Sequence, residues 1–184
     1  MQVAPKQINI LGISGSLKST STNTNILKFI STIVPVHVSL KLFGSLDSLP
    51  HFNPETTETI PAVENLRQQI KEADAVVVST PEYAFGMPGV LKNALDWIVS
   101  SGELNEKPVA ASSASPLYTG GDKALGSLLL TLTALGTNMG AGSSLSIANV
   151  KSKITDAGEI SDDETTTALM LMLNELINKI KFKS

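Results

Sequence analysis

Cysteine is absent from this sequence, and histidine and arginine are nearly so. Without thiols the chain forms no disulfide framework, thiolate nucleophile or thiolate metal site, so any redox chemistry has to reside in a bound cofactor. His37 falls in a predicted strand and His51 in a loop, and two isolated histidines make neither a catalytic triad nor a metal cluster. We therefore expect structural roles for both histidines and no bound metal.

Charged side chains are also few, at 17% of the residues against roughly 25% in an average soluble domain. A surface this poor in charge favours burial against further subunits, so we predict a homo-oligomer, either a dimer or a tetramer. The net charge of -3 and the lack of a broad basic face argue against nucleic acid as a partner. Basic residues cluster only towards the C-terminus, at Lys151, Lys153, Lys179, Lys181 and Lys183.

Long hydrophobic runs are missing as well. The first apolar run, Ile8–Ile13, is too short for a signal core or a membrane span, and Met1–Gln7 carries no basic region ahead of a long apolar stretch. These features predict a cytoplasmic protein without a membrane segment. The apolar residues that are present, 42% of the total, suffice for a packed core, and 184 residues fit a single domain spanning 1–184.

Five short apolar segments alternate with five segments of helical periodicity. This alternation predicts a doubly wound α/β fold, a five-stranded parallel sheet with helices on both faces. The longest irregular stretch, Phe43–Pro61, is rich in Pro, Asp, Asn and Thr and is predicted to lie on the surface. The predicted strands are Ile8–Ile13, Val36–Leu42, Ala75–Ser79, Pro108–Ser112 and Ser144–Ile147.

The predicted helices have recognisable starts. The first begins near Thr22–Thr24, the second after Pro61 and the third near Pro88. The fourth spans about Lys123–Leu135, and the fifth begins after the acidic run Asp162–Glu164. The fourth and fifth are apolar nearly all round, which predicts burial on two sides or packing against a partner subunit. The apolar face of the third comprises Leu91, Ala94, Leu95, Ile98 and Val99.

The loop after the first strand has the composition of an anion site. Ligands of an open parallel sheet bind beyond the carboxyl ends of the strands, where helix amino ends present free N–H groups. The segment Ser14–Asn23 consists largely of small hydroxyl residues with one cation, Lys18, and leads into a helix. Such a loop can surround an anion with hydroxyls and amides. The alternative interpretation is a hydroxyl-rich loop that only caps the helix.

Two nucleotide-binding patterns fail at this loop. The P-loop pattern GxxxxGK[ST] nearly fits Gly12–Ser19, but Leu17 occupies the place of the second glycine. The dinucleotide pattern GxGxxG has Ser14 at its second glycine. A hydroxyl-lined loop without wrapping glycines suits a single terminal phosphate, and hence a mononucleotide.

Two further loops follow the third and fourth predicted strands. Thr80–Gly89 carries two aromatic residues between two prolines, a stiff arrangement that can hold a ring edge against a flat heterocycle. Ala114–Gly121 ends in a glycine pair that permits close approach of the backbone to a ligand. Because the strands are parallel, all three loops should converge on one crevice.

Two stretches resemble the NAD(P)H-dependent FMN reductases, a family of flavodoxin-like fold that includes quinone, azo-dye and chromate reductases. GSLKSTSTN, beginning at Gly15, is similar to the family's GSxRxxSxN, and PEYAFGMPGVLKNALDW, beginning at Pro81, is similar to PEYNxSxPGxLKNAxDW. The resemblance covers about Ile8–Leu135. It implies that the FMN phosphate is held by Ser16, Lys18, Ser21 and Asn23, that the isoalloxazine is bordered by Pro81, Glu82, Tyr83 and Ala84, and that Ser115, Gly120 and Gly121 belong to the third flavin loop.

The sequence departs from the family pattern within these motifs. Lys18 replaces the usual arginine, which exchanges a planar two-pronged donor for a point charge. Ala84 and Gly86 replace the usual asparagine and serine, so side-chain hydrogen bonds to the flavin edge are not expected there. Glu82 could act as a general acid, but we expect it to order its own loop, and we expect Trp97 to pack rather than to stack on a ligand.

The residues themselves predict a mononucleotide crevice, and the resemblance implies FMN, NADPH or NADH as the reductant, and a small-molecule electron acceptor. The flavin would then carry the chemistry, so no side chain is assigned a catalytic role. One alternative is a flavodoxin-like electron-transfer protein without a nicotinamide step of its own. Another is a non-flavin mononucleotide or phosphosugar enzyme, in which the aromatic loop would serve only for packing.

Overall fold

The computed structural model describes residues 7–44, 46–155 and 157–181, and these form a five-stranded parallel sheet flanked by helices. The strand order is β2-β1-β3-β4-β5, with every neighbouring pair parallel. The predicted fold class is thereby confirmed. Residues 1–6 of the segment Met1–Gln7, and Lys183 of the basic cluster, lie outside the described residues. The strands are β1 (Ile8–Ser14), β2 (Val38–Leu42), β3 (Ala75–Thr80), β4 (Val109–Ala114) and β5 (Ser144–Ile147).

Five helices connect or follow the strands, close to the predicted positions. The first, third and fourth link strand ends that matter for the site, because each begins just after a strand of the central sheet. The second opens with proline at its first position, where the missing N–H costs nothing. The helices are α1 (Thr22–Ile33), α2 (Pro61–Glu72), α3 (Gly89–Asp96), α4 (Asp122–Ala134) and α5 (Asp163–Lys181).

The sheet separates two apolar cores. On one face α1 and α5 pack on side chains such as Ile10 and Val77, and on the other face α2, α3 and α4 pack on side chains such as Ile13 and Val78. β3 is buried along its whole length, which explains why its sequence is apolar without alternation until its last two residues. This two-sided packing fixes the carboxyl ends of β1, β3 and β4 at one edge.

The prediction that His37 lies in a strand was wrong. The amide of Val38 donates to the carbonyl of Pro35 at 2.8 Å, which closes a turn over residues 35–38, and β2 starts only at Val38. Val36, which was predicted to open the strand, is 98% exposed in this turn. A β-branched residue after proline favours extended backbone, but the turn hydrogen bond decides the local structure.

The third helix and the long loop also differ from expectation. α3 ends at Asp96, so Ile98 is buried after the helix has ended and Val99 is exposed. Phe43–Pro61 is not entirely a surface loop: it contains a short 3-10 helix, Leu46–Ser48, and buries Phe43 and Leu49 in the core. Apolar residues spaced three apart thus anchor a segment whose composition is otherwise that of a loop.

Trp97 packs as expected. Its ring meets Phe52 edge to face with centroids 5.1 Å apart, and its indole N–H donates to the carbonyl of Pro50 at 2.8 Å. The side chain is buried, and the contact ties the long loop to the end of α3.

α4 and α5 bury only part of their apolar surface in the described structure. Leu128 and Leu132 of α4 are fully buried, whereas Leu130 is 75% exposed. On α5, Leu171 is likewise exposed. These faces leave room for packing against another subunit, which was one of the two outcomes predicted. None of the described helices combines the length and apolar content needed to traverse a bilayer.

Candidate functional site

Three loops meet at the carboxyl edge of the sheet, as the parallel strands require. We call residues 15–21, after β1, the first loop; residues 81–88, after β3, the second loop; and residues 115–121, after β4, the third loop. The register aligns Ser14 with Ser79 and Thr80 with Ser113, so the loops leave the sheet side by side. The three loops therefore lie at the same end of the sheet, and together they make up the candidate site.

The first loop is held by its own hydroxyls and leads into the start of α1. The amide of Lys18 donates to Oγ of Ser16 at 3.3 Å, and the amide of Ser21 donates to the carbonyl of Lys18 at 3.1 Å. Ser21 is the residue before the helix, and its Oγ accepts from the amide of Thr24 at 3.4 Å. Ser21 is therefore a helix cap, and its hydroxyl is already engaged.

The first turn of α1 has the electrostatics of an anion site. Thr22 and Asn23 are its first two residues, so their N–H groups have no acceptor within the helix. No acidic side chain lies in this turn. With the positive end of the helix dipole uncompensated and Lys18 exposed in the preceding loop, the turn favours a bound anion.

Asn23 does not present its side chain to the loop. It is buried, its Oδ1 accepts from the hydroxyl of Ser79 at 3.0 Å, and its Nδ2 donates to the carbonyl of Ala114 at 3.5 Å. Its side chain is thus engaged within the protein, and the group of Asn23 that lacks an acceptor within the helix is the backbone N–H in the first turn of α1. The side chain turns inward because two strand ends offer it partners.

A row of serines beneath α1 escaped the sequence analysis. Ser14, Ser79 and Ser112 occupy matched positions on β1, β3 and β4, and we call them the serine row. Ser112 Oγ donates to Ser79 Oγ at 3.0 Å, and the hydroxyls of Ser14 and Thr24 are 2.7 Å apart. The available signal was a serine near the carboxyl end of each of these three strands, in largely apolar sequence.

The second loop contains a two-residue turn with unusual backbone angles. Tyr83 and Gly86 exchange both amide–carbonyl hydrogen bonds, each 3.0 Å long. Between them, Ala84 and Phe85 have φ values of 48° and 61°, the left-handed region that both central residues of a type I′ turn require. Asparagine and glycine fit this turn best, so alanine at the first central position holds strain.

Glu82 orders more than its own loop. One of its carboxylate oxygens, Oε2, accepts a hydrogen bond from the amide of Ala124 at 3.0 Å. α4 follows Gly121, a residue that offers no side-chain cap, so Glu82 provides the missing acceptor from another loop. We expected Glu82 to order its own loop. The structure shows that its carboxylate also orders the start of α4.

The glycine pair of the third loop permits a conformation that other residues resist. Gly120 and Gly121 have φ values of 65° and 80° and are buried. A Cβ on Gly120 would lie 2.9 Å from the amide nitrogen of Ala148, and one on Gly121 would lie 3.3 Å from Cβ of Ser113. The hydroxyl of Ser113 also donates to the carbonyl of Gly120 at 2.8 Å, which fixes the loop.

Ser115 supports the third loop from within. It is buried, its Oγ accepts from the amide of Leu117 at 3.2 Å, and its amide donates to the carbonyl of Ile147 at 3.1 Å. The structure therefore assigns its hydroxyl a turn-forming contact.

The rim of the crevice is apolar and open. Phe85 is 80% exposed and Tyr118 is 84% exposed, and Tyr83 and Leu117 beside them are more than half exposed. Two of these residues belong to the second loop and two to the third. Exposed apolar side chains at the mouth of a polar crevice suit contact with flat ligands.

Comparison with known proteins gives a consistent result. Residues 8–152 match the family model described as NADPH-dependent FMN reductase. An NAD(P)H-dependent FMN reductase of Pseudomonas aeruginosa is 34% identical over 173 residues, which cover 92% of this chain and 93% of that protein. A quinone reductase of Escherichia coli is 33% identical over 121 residues, 63% of this chain and 64% of that protein. Among solved structures, FerB of Paracoccus denitrificans, a flavoenzyme NAD(P)H:(acceptor) oxidoreductase, matches with a TM-score of 0.85 and 26% identity over 95% of this chain and 97% of that one.

Proposed function

Because the chain belongs to the NADPH-dependent FMN reductase family, we propose that the three loops hold one FMN, with its phosphate at the start of α1 and its isoalloxazine between the second and third loops. Membership of this family makes the chain an NAD(P)H-dependent flavin oxidoreductase. The observation that carries the placement is the first turn of α1, which has free amides and no acidic side chain.

The phosphate end fits the residues that the structure brings together. The amides of Thr22 and Asn23 and the hydroxyl of Ser16 provide neutral donors, and Lys18 provides the charge. Ser21 contributes by capping the helix, since its hydroxyl is engaged with Thr24. Charge-assisted hydrogen bonds from several amides suit a dianionic monoester at this position.

At the second and third loops, backbone groups are suited to hold the planar isoalloxazine ring. The peptide units of Pro81–Ala84 border one side, and the tight backbone turn at Gly120 and Gly121, with φ values of 65° and 80°, borders the opposite side. When bound, FMN supplies the hydride chemistry between the nicotinamide and the acceptor. Glu82 keeps the second loop against α4, and the exposed Tyr83 and Phe85 leave one ring face accessible to the other reactant.

The acceptor is a small molecule, in keeping with the family, and we propose a quinone. Relatives named as quinone reductases and a 2-hydroxy-1,4-benzoquinone reductase support this class, and so does the apolar rim that includes Leu117 and Tyr118. The exposed Leu130 on α4 supports the proposed dimer or tetramer, for which light scattering at micromolar concentration is the test. A cytoplasmic location stays a prediction from the sequence.

Visible spectroscopy tests the function directly. The purified chain is mixed with FMN, desalted and titrated anaerobically with NADPH and, separately, with NADH. We expect a retained yellow chromophore that bleaches with at least one nucleotide and recovers its colour on addition of benzoquinone. Gly120→Val is the matched variant, because its side chain would meet backbone at 2.9 Å, and it should retain less FMN. A wild-type preparation that takes up no FMN would contradict the proposal.

An electron carrier without a nicotinamide step is distinguished by the same titration. Such a protein would retain the flavin but would not bleach with either nucleotide. Bleaching by dithionite alone would therefore favour the carrier.

A further inference from the structure

The serine row sits directly under the part of α1 that faces the crevice. Ser79 and Ser112 are fully buried. The first turn of α1 contacts the row at two points, Asn23 with the hydroxyl of Ser79 and Thr24 with the hydroxyl of Ser14. Beyond this turn the buried residues of the helix are the apolar Ile26, Leu27 and Ile30. The helix is therefore attached to the sheet by hydrogen bonds at one end and by apolar contact along the rest.

These two kinds of contact constrain different things. Apolar burial is non-directional, so it holds α1 on the sheet but specifies its position along its axis only loosely. A hydrogen bond between buried groups specifies both distance and angle, since an unmade bond leaves a polar group desolvated without a partner. The bond from Ser79 to Asn23 thus fixes how far the start of α1 projects beyond the strand ends.

We propose that Ser79, supported by Ser112, is a positioning residue for the phosphate of FMN: it sets the location of the free amides of Thr22 and Asn23 without touching the ligand. This inference rests on the proposed function. Ser79 is the central member of the row, because it donates to Asn23 and accepts from Ser112. Removing its hydroxyl leaves both neighbours short of a partner in a fully buried place.

The test compares two ligands that differ only in the phosphate. Dissociation constants for FMN and for riboflavin are measured by flavin fluorescence for the wild type, Ser79→Ala and Ser112→Ala. We expect Ser79→Ala to weaken FMN binding about tenfold, by loss of an optimised set of buried hydrogen bonds, and to leave riboflavin binding unchanged. Ser112→Ala keeps the bond from Ser79 to Asn23, so its effect should have the same sign and be smaller.

Ser143→Ala is the matched control. Ser143 is also fully buried and its Oγ accepts one hydrogen bond, from the amide of Gly140 at 2.9 Å, but it precedes β5 at the opposite edge of the sheet. Its loss should cost comparable thermal stability without changing the ratio of the two dissociation constants. A merely structural role for Ser79 predicts the same behaviour as this control.

The outcomes separate the positioning role from the proposed function. If the wild type prefers FMN to riboflavin and both serine variants keep that preference, the positioning role is overturned while the function stands. If the wild type binds both ligands equally, the phosphate placement and the positioning role both fail. If Ser79→Ala does not fold, Ser112→Ala decides, because it keeps the bond from Ser79 to Asn23 and removes only the support of Ser79. A reduced preference for FMN over riboflavin in Ser112→Ala then supports the positioning role, and an unchanged preference overturns it.

Discussion

The carboxylate of Glu82 accepts a hydrogen bond from the amide of Ala124, a residue 42 positions further along the chain. The bond joins the second loop to the first turn of α4, whose own preceding residue is a glycine. The second and third loops, both proposed to hold the flavin ring, are therefore coupled through this hydrogen bond. A displacement of Glu82 is expected to shift the second loop and the start of α4 together.

Replacing Glu82 separates this structural role from acid catalysis. Glu82→Ala leaves the Ala124 amide without its cap and should lower the free energy of unfolding by about 1 kcal/mol, as loss of a helix cap does. Glu82→Gln keeps an acceptor oxygen and should lose less. Loss of a general acid would reduce kcat by about a hundredfold or more. We expect kcat of Glu82→Gln to stay within about threefold of the wild type; a hundredfold fall would show that the carboxyl transfers a proton.

Ala84→Asn should stabilise the protein. Ala84 holds a φ of 48° in a tight turn, a conformation that asparagine adopts more readily than alanine. Denaturant unfolding should give a gain of roughly 0.5 to 1 kcal/mol. Ala141→Asn is the control, since Ala141 is exposed in a turn but is not among the residues with positive φ. Equal changes at the two positions would mean that the left-handed backbone stores no strain.

Lys18 offers a test of the phosphate site through salt dependence. Lys18→Ala should raise the Kd for FMN about threefold at low ionic strength, because the exposed ammonium contributes modestly in water. Lys18→Arg should lower it, since the guanidinium can donate two parallel hydrogen bonds. Salt at about 0.5 M should remove most of both differences. Riboflavin binding serves as the control, and a matching change in its Kd would place Lys18 away from the phosphate.

Asp162 predicts a pH dependence of stability at the start of α5. Its pKa is lowered chiefly by the hydrogen bond from the Thr165 hydroxyl, then by that from the Thr165 amide, with Lys153 Nζ 3.7 Å away. Because the pKa of Asp162 is lower in the folded state, its carboxylate stabilises the fold at pH values above the unfolded pKa of 3.8. That contribution is lost as the pH falls through the folded pKa.

Asp162→Asn should therefore melt at a lower temperature than the wild type near neutral pH, and the difference should shrink below about pH 4. Thermal denaturation followed by circular dichroism, from near neutral pH to well below the unfolded pKa of 3.8, gives the measurement. Asp163→Asn is the neighbouring control, because no hydrogen bond to its side chain occurs in the part of the chain that the structure describes. A difference between Asp162→Asn and wild type that does not vary with pH would contradict the assignment.

The sequence predicted the fold because the pattern of each element is locally determined. The buried β3 has no polar residue before Ser79, and α2 opens on Pro61, so both follow from composition and helix-start rules. One error lies where a single hydrogen bond decides the local structure. The turn closed between Pro35 and Val38 displaced His37 from its predicted strand, and no pattern of residue types encodes that bond.

The site was predictable as a set of loops but not as a set of contacts. The hydroxyl composition after β1 and the glycine pair after β4 indicated which loops make up the candidate site, because parallel strands bring their carboxyl ends together. Which way Asn23 turns depends on Ser79, 56 positions away, and which helix Glu82 caps depends on the packing of α4. Such long-range pairings follow from the assembled sheet.

In the proposed flavin site the backbone of the second and third loops borders the ring, whereas exposed side chains form the rim. Point substitutions outside the glycines leave a wall of peptide units largely unchanged, but each exchange at Tyr83, Phe85, Leu117 or Tyr118 alters the shape of the entrance. Under the proposed placement, different atoms therefore determine retention of the prosthetic group and the range of accepted oxidants. Directed evolution towards a new oxidant can diversify these four positions together while the holoprotein persists.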